Sequence, residues 1–296
     1  MNTEPILAID GTGLLVRCSR AARHQRLFSP GGEPTGALMM FINSVARKIR
    51  ATEPGYVVVA WDGPHATRWR RGMYLGYKAG QPDVCKMGGE LDSAMEFLDA
   101  AGIYQLSYPG FEADDILAAV TRRAMNMPGI LCLVCSDDQD LHQLADDCPD
   151  HQVEITGLTR DYRVTAQDVR QQWGVSPVWL PQIRALAGDK SDGIPGLPGV
   201  GPVKALKMRQ AGGRRWPLPE TVLKDPELRS LVVIWKDIMD LVIPVRPVEH
   251  EMGIEHLRRL GTLGRWNPDN GQNVLNLLER YGMEQIAQRL QRGGLW

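Results

Sequence analysis

Short, almost unbroken apolar runs alternate with helical periodicity through the first half of the chain. ILAI at 6–9, YVVVAW at 56–61 and ILCLVC at 130–135 have the continuous hydrophobicity of strands covered on both faces, and VEIT at 153–156 adds a shorter run. Between them, apolar residues return at helical spacing near 35–51, near 90–101 and again from about 114. Strands and helices in alternation predict an α/β fold, with a mostly parallel central sheet flanked by helices. From about residue 160 the strand signal fades. Thr165 and Ser176 read as helix starts, GIPGLPGVGPVKAL as a Gly/Pro-rich turn entering a helix, and 212–296 as helical with a break at IPVRPVEH. The pattern divides the chain into an α/β domain, 1–174, and a helical region, 175–296.

Acidic residues fall where the strands end. Asp10 follows ILAI, Asp62 follows YVVVAW, and Asp137 and Asp138 follow ILCLVCS. A lone Asp in such a place is ordinarily a turn former or helix cap. Three strand ends carrying carboxylates at one edge of a parallel sheet occupy the place where α/β proteins build ligand sites. Glu112, Asp114 and Asp115 open a helix in GFEADDILAAV, where acids also complement the helix dipole, and Glu112 and Asp115 share nearly one face. Asp138 and Asp140 open another helix in DDQDL, and Asp189 and Asp192 bracket a turn in GDKSDG. Like charges this close repel by about 4 kcal/mol per pair at an intermediate dielectric, so a bound cation is expected. Oxygen donors without His or Cys favour Mg²⁺ or Mn²⁺ over zinc. Two such ions about 4 Å apart suit in-line displacement at phosphorus, which makes phosphodiester hydrolysis the natural chemistry.

Composition narrows the setting. At 296 residues, 43% hydrophobic and 23% charged, the chain is long enough for two unequal domains and is neither disordered nor fibrous in type. No apolar run approaches the roughly 18 residues of a membrane span, and MNTEPILAID lacks a signal peptide's basic start, so a cytoplasmic location is expected, in a bacterial cell or a phage-infected host. Five cysteines in such a chain do not suggest a disulfide framework. Cys132 and Cys135, three apart in a strand, point to opposite faces and read as buried thiols, not a metal or redox pair. The net charge of −1 conceals clustering: Arg20, Arg23, Arg26, Arg68, Arg70, Arg71, Lys78 and Lys204 group apart from the acidic motifs, as a basic nucleic-acid surface around an acidic pocket would require.

In order along the chain, LAIDGTGLLVR, GEPTGAL, AWDGP, GYKAG, GFEADDILA, SDDQDLHQL and ALAGDKSDGIPGLPGVGPVKA resemble the motifs of the 5′-nuclease, or flap endonuclease, superfamily. The resemblance spans residues 6–207 and is strongest to the 5′-nuclease domain of bacterial DNA polymerase I and to phage 5′-exonucleases. It implies a resolvase-like (PIN-like) nuclease core, an arch within 63–95 over the active site, and a helix-hairpin-helix (H3TH) element in the C-terminal region. It also implies that Asp10, Asp62, Glu112, Asp114, Asp115, Asp138, Asp140, Asp189 and Asp192 hold two Mg²⁺ ions, with Mn²⁺ able to substitute. Asp137, beside the matching DxD, has no metal role.

On the same resemblance Asp10, Asp62, Asp115 and Lys78 are catalytic, Lys78 stabilising charge on the transferring phosphate. Arg68, Arg70, Arg71, Tyr77 and Lys78 would contact DNA at the arch, the plain alternative for the arginines being a solvated basic helix face. Gly199, Gly201 and Lys204 would bring backbone N–H groups and a charge to duplex phosphates, and the hairpin of relatives can hold K⁺. The implied partners are DNA with 5′ ends, flaps or single-strand/duplex junctions, with RNA–DNA hybrids in primer removal. The implied activity is 5′→3′ exonuclease and flap endonuclease in DNA replication and repair, carried by a monomer. VCKMGGE matches none of the family's motifs. The length leaves no room for polymerase or proofreading domains, so a stand-alone nuclease or a separately produced fragment is expected. Two rivals fare worse. DGTG suggests a phosphatase with an aspartate nucleophile, but the further Asp such enzymes need two residues earlier is Ala8. A protein that only binds branched DNA would lack part of the acid set, and none of it is missing.

Overall fold

The computed structural model describes residues 4–80, 88–212, 216, 218–242 and 271–292. Among these, the apolar runs become a six-stranded sheet of order β3-β2-β1-β4-β5-β6, made of β1 Ile6–Asp10, β2 Tyr56–Trp61, β3 Tyr104–Ser107, β4 Ile130–Cys135, β5 His151–Thr156 and β6 Arg163–Val164. All neighbours are parallel except β5 and β6. The sequence pattern does not reveal β3, which is short and half polar, or β6, which has two residues.

The helices in chain order are α1 Gly11–Ala22, α2 Gly36–Thr52, α3 Arg68–Met73, α4 Gly89–Ala100, α5 Ala113–Ala124, α6 Ala166–Trp173, α7 Leu180–Ala187, α8 Pro202–Ala211, α9 Glu220–Leu223, α10 Pro226–Met239, α11 Gly271–Arg280 and α12 Glu284–Gln291. The pattern also misses α1, because GTG looks like a turn; Asp10 caps this helix by accepting the Gly13 N–H at 2.7 Å. Thr165 caps α6 through a reciprocal box with Asp168, as expected from sequence. The helix expected in DDQDL is a 3₁₀ turn, Gln139–Leu144, whose N-cap is Asp138.

Strand alternation sorts the core into two layers. Ile6, Ala8, Val58, Ala60, Cys132 and Val134 face a cluster built with α5, α7 and α10, while Leu7, Ile9, Val57, Val59, Leu133 and Cys135 face one built with α1, α2 and α4. Cys132 and Cys135 thus part to opposite layers as free thiols, and burial pushes both up to about 12. The helical region does not keep to itself. Ile183 and Leu186 of α7 and Val232 and Trp235 of α10 join the first layer, whereas Val274, Leu277 and Leu278 of α11 and Ile286 of α12 join the second. Tyr281 fixes that return by donating its hydroxyl to Glu96 on α4 at 3.0 Å. Part of the expected arch, 81–87, and the break at IPVRPVEH lie outside the described residues. Among the described residues no helix is long and apolar enough to cross a membrane.

Candidate active site

The carboxyl ends of β1, β2 and β4 meet at one edge, where the strand order runs out to β3 on one side of β1 and to β5 on the other. Asp10 ends β1, with one oxygen on the Gly13 N–H and the other accepting the Ser136 hydroxyl at 2.9 Å. Asp62 follows β2. Its N–H donates to the Thr12 hydroxyl and its Oδ1 accepts the Ala113 N–H, both at 2.8 Å, which straps the start of α5 to the sheet. Asp114 stands on the first turn of α5. Burial pushes Asp10 up to about 6 and Asp62 to about 7, with Glu112 adding to Asp62 and Asp138 to Asp10. Asp114 is raised well above the usual carboxylate range by burial and by Asp138 and Asp10.

Glu112 and Asp115, in the same motif as Asp114, live in another environment. Asp115 is wholly buried, and both its oxygens are taken by the Arg70 guanidinium at 2.5 and 2.8 Å. Its Oδ2 also accepts from the Trp69 indole at 3.3 Å and the Glu112 N–H at 3.0 Å. With three donors on Oδ2 and one on Oδ1, Asp115 is the counter-ion of Arg70 among the described residues. Glu112 accepts from Arg70 at 2.6 Å and from the Tyr77 hydroxyl at 2.8 Å on Oε2, and from Lys78 at 2.6 Å on Oε1. Burial alone would raise its carboxyl, but Arg70 and Lys78 bring it down to about 2.

Of the residues expected to contact DNA, Arg70 is 3% exposed and Tyr77 is equally buried; a charge run that looks solvated in sequence has its middle member turned inward. Arg71 is half-buried and donates to the backbone carbonyls of Tyr77 and Lys78 at 3.1 and 2.8 Å, shaping the segment that carries the lysine. Arg68 alone of the three is exposed. Lys78 sits at a left-handed φ of 45°, its N–H donating to the Asp192 carbonyl at 2.9 Å and its Nζ 3.8 Å from the Asp192 carboxylate. That close seam needs Gly193, where a Cβ would come within 2.4 Å of the Gly76 carbonyl oxygen.

A further group of acids gathers around Arg184 of α7, which ion-pairs with Asp140 and, at 2.8 Å, with Asp189. Asp189 folds its own turn by accepting the Ser191 hydroxyl and the Ser191 and Asp192 N–H groups; burial would raise its carboxyl, but the Ser191 hydroxyl, then Arg184 and these backbone bonds, lower it. Burial raises Asp192 to about 6, with Asp189 adding. Asp138 is exposed and caps the 3₁₀ turn. Asp137 is paired with Arg17 at 2.9 Å and accepts the Tyr162 hydroxyl at 3.1 Å. Gly199, at φ 69°, and Gly201, the N-cap of α8, are open to solvent on the Cβ side, and the exposed Lys204 donates to the Gly199 carbonyl at 3.3 Å. Sequence reasoning did not single out Ser136, Thr12, Arg184 or Gln143. Of these, only Arg184 carried a signal, as a lone cation one helical turn before an acid pair.

Hard divalent ions fit the donor set. Asp10, Asp62 and Asp114 offer oxygen only, are desolvated, and among the described residues form no ion pair with Lys or Arg. As the side chains stand, no three His, Cys, Asp or Glu groups among the described residues converge on one ion position; Arg70, Lys78 and Arg184 draw several acids toward themselves.

Comparison with known proteins agrees with this geometry. The family described as 5′-3′ exonuclease, N-terminal resolvase-like domain, matches residues 5–174. A DNA polymerase I of Mycobacterium leprae is 33% identical over 208 residues, covering 70% of this chain but 23% of the polymerase, so the chain spans less than a quarter of that relative. A 5′-3′ exonuclease of Halalkalibacterium halodurans is 31% identical over 219 residues, covering 72% of each. Among solved structures, the T5 D15 protein superposes with a TM-score of 0.66 at 16% identity, covering 91% of this chain and 99% of that one, and the catalytic core of Rad2 with 0.58 at 13%, covering 98% and 93%. Those likenesses show the fold. With the family profile over more than half of its length and a carboxylate-edged, mostly parallel sheet, the chain belongs to the 5′-3′ exonuclease family.

Proposed function

We propose that this chain is a divalent-metal-dependent 5′-nuclease that hydrolyses DNA phosphodiesters at 5′ ends, flaps and single-strand/duplex junctions. The observation that carries the reading is the trio Asp10, Asp62 and Asp114: desolvated, in no ion pair among the described residues, and gathered at the sheet edge within reach of the Lys78 charge. The T5 D15 protein was crystallised with metal ions, and the Rad2 core with DNA. Two Mg²⁺ ions are the natural occupants, with Mn²⁺ as substitute; when bound, they stabilise the attacking and leaving oxygens of an in-line displacement.

The chain's own residues prepare that step. Asp10, Asp62, Asp114 and Glu112 Oε1 hold one group of oxygens, and Asp138, Asp140, Asp189 and Asp192 another. The Gly13 N–H and the Ser136 hydroxyl orient Asp10. Lys78, fixed by its backbone bond to Asp192, presents an ammonium to the charge that develops on the phosphate. Arg68 lies exposed for the single strand, and the turn before α8, with Gly199, Gly201 and Lys204, for the duplex backbone, with K⁺ seated in that turn. On this reading 1–174 is the nuclease core and the helices from 175 carry the duplex, RNA–DNA hybrids are accepted, and the protein acts as a monomer in the cytoplasm. A 5′-labelled flap duplex incubated with Mg²⁺, and in parallel with chelator, tests it. Metal-dependent release of the flap near the junction, leaving 5′-phosphate ends, is expected; binding without cleavage would make this a junction-binding protein instead.

A further inference from the structure

The last carbonyls of an α-helix have no partner within the helix. At the end of α10 they are met by side chains from the catalytic half: the Ile238 carbonyl accepts Arg70 Nε at 2.8 Å, and the Met239 carbonyl accepts Gln143 Nε2 at 3.0 Å. Gln143 also takes the Leu241 N–H at 2.9 Å and donates to the Asp140 carbonyl at 2.9 Å, so the helix end is fixed on two sides. Arg70 spends its remaining donors on Glu112 and Asp115 and lies 4.4 Å from the Trp69 ring centroid. Its plane is therefore determined by three acceptors, on α10, on α5 and at the α5 N-cap. We propose that Arg70 is a positioning residue for Glu112, set in turn by the C-terminal end of α10.

The proposal rests on the nuclease reading, in which Glu112 holds a metal. Arg70 and Tyr77 donate to Oε2 and Lys78 alone donates to Oε1, so on this reading Oε1 is the oxygen that would meet an ion. A lysine at position 70 would keep the charge but not the planar fork that joins Asp115, Glu112 and α10. Groups that orient a ligating carboxylate from outside are worth about 10- to 100-fold in metal affinity.

The test is Mn²⁺ binding to the full chain by calorimetry and electron paramagnetic resonance, for wild type, Arg70→Lys and the double variant Arg70→Gln/Asp115→Asn. The double variant removes both buried charges, so it carries the test if Arg70→Lys fails to fold. Both folded variants should bind Mn²⁺ about 10-fold more weakly or worse, and need correspondingly more metal for half-maximal cleavage, with most of kcat returning at saturation. A folded variant with wild-type or tighter Mn²⁺ affinity, whatever its Tm, overturns the positioning role while leaving the nuclease reading intact. If wild type itself takes up no Mn²⁺, that reading falls and the proposal with it.

Discussion

Asp114 and Asp115 are neighbours in one motif at one helix start, yet they sit in opposite electrostatic states. Asp114, with Asp10 and Asp62, is desolvated and repelled, and no cationic side chain pairs with it among the described residues. Asp115 is more deeply buried and accepts from four donors on its two oxygens. The first set is in no ion pair among the described residues; the second is neutralised by a protein cation. Membership of a motif therefore does not fix a residue's chemistry, and the partner on the far side of the chain does.

The contrast is broken most directly by Asp114→Ala, which should reduce flap cleavage on the order of 10⁴-fold, about 5.5 kcal/mol in the barrier, without lowering Tm in chelator. An equal loss of Tm would mean Asp114 is a strut like its neighbour. Asp115→Asn should do the reverse in kind, costing about 3 to 5 kcal/mol of unfolding free energy in urea because Arg70 loses its bidentate partner in a dry site. A cost below about 1 kcal/mol would remove the distinction between the two residues.

Lys78→Ala should lower kcat by about 10²-fold, roughly 2.7 kcal/mol, with a smaller change in KM for DNA, as measured by single-turnover kinetics. A change confined to KM would assign Lys78 to binding. The smallest effect concerns pH. Asp10, Asp62 and Asp192 have folded pKa values raised above 3.8 to about 6, 7 and 6, so the stability they contribute is full below about pH 4 and is lost as pH rises through 6 to 7. Glu112, lowered to about 2, contributes stability that is constant across that window and disappears only toward pH 2. In chelator, Tm should fall from pH 4.5 to 8, and Mg²⁺ should flatten the slope. A chelated protein whose Tm rises over this range would show that these carboxyls are not raised.

Much of the sheet was legible because strands covered on both faces must be apolar throughout, as β1, β2 and β4 are. YQLS at β3 was not, since an edge strand of four residues need bury little. The acids were legible as a set because three strand ends carried them, but their division was not. What separates Asp115 from Asp114 is Arg70, 45 positions away in sequence, and nothing in RWRRGM distinguishes the inward arginine from the outward ones. Arg184 and Gln143 were hidden for the same reason: their roles arise from packing between distant elements, which periodicity does not encode.

The return of α11 and α12 to the layer built by α2 and α4 roots the chain after Gly271 in the sheet domain. A single nick between Val164 and Gly271 should therefore leave two pieces still joined through Leu277, Leu278 and Ile286, where the same nick in a terminal appendage would shed it.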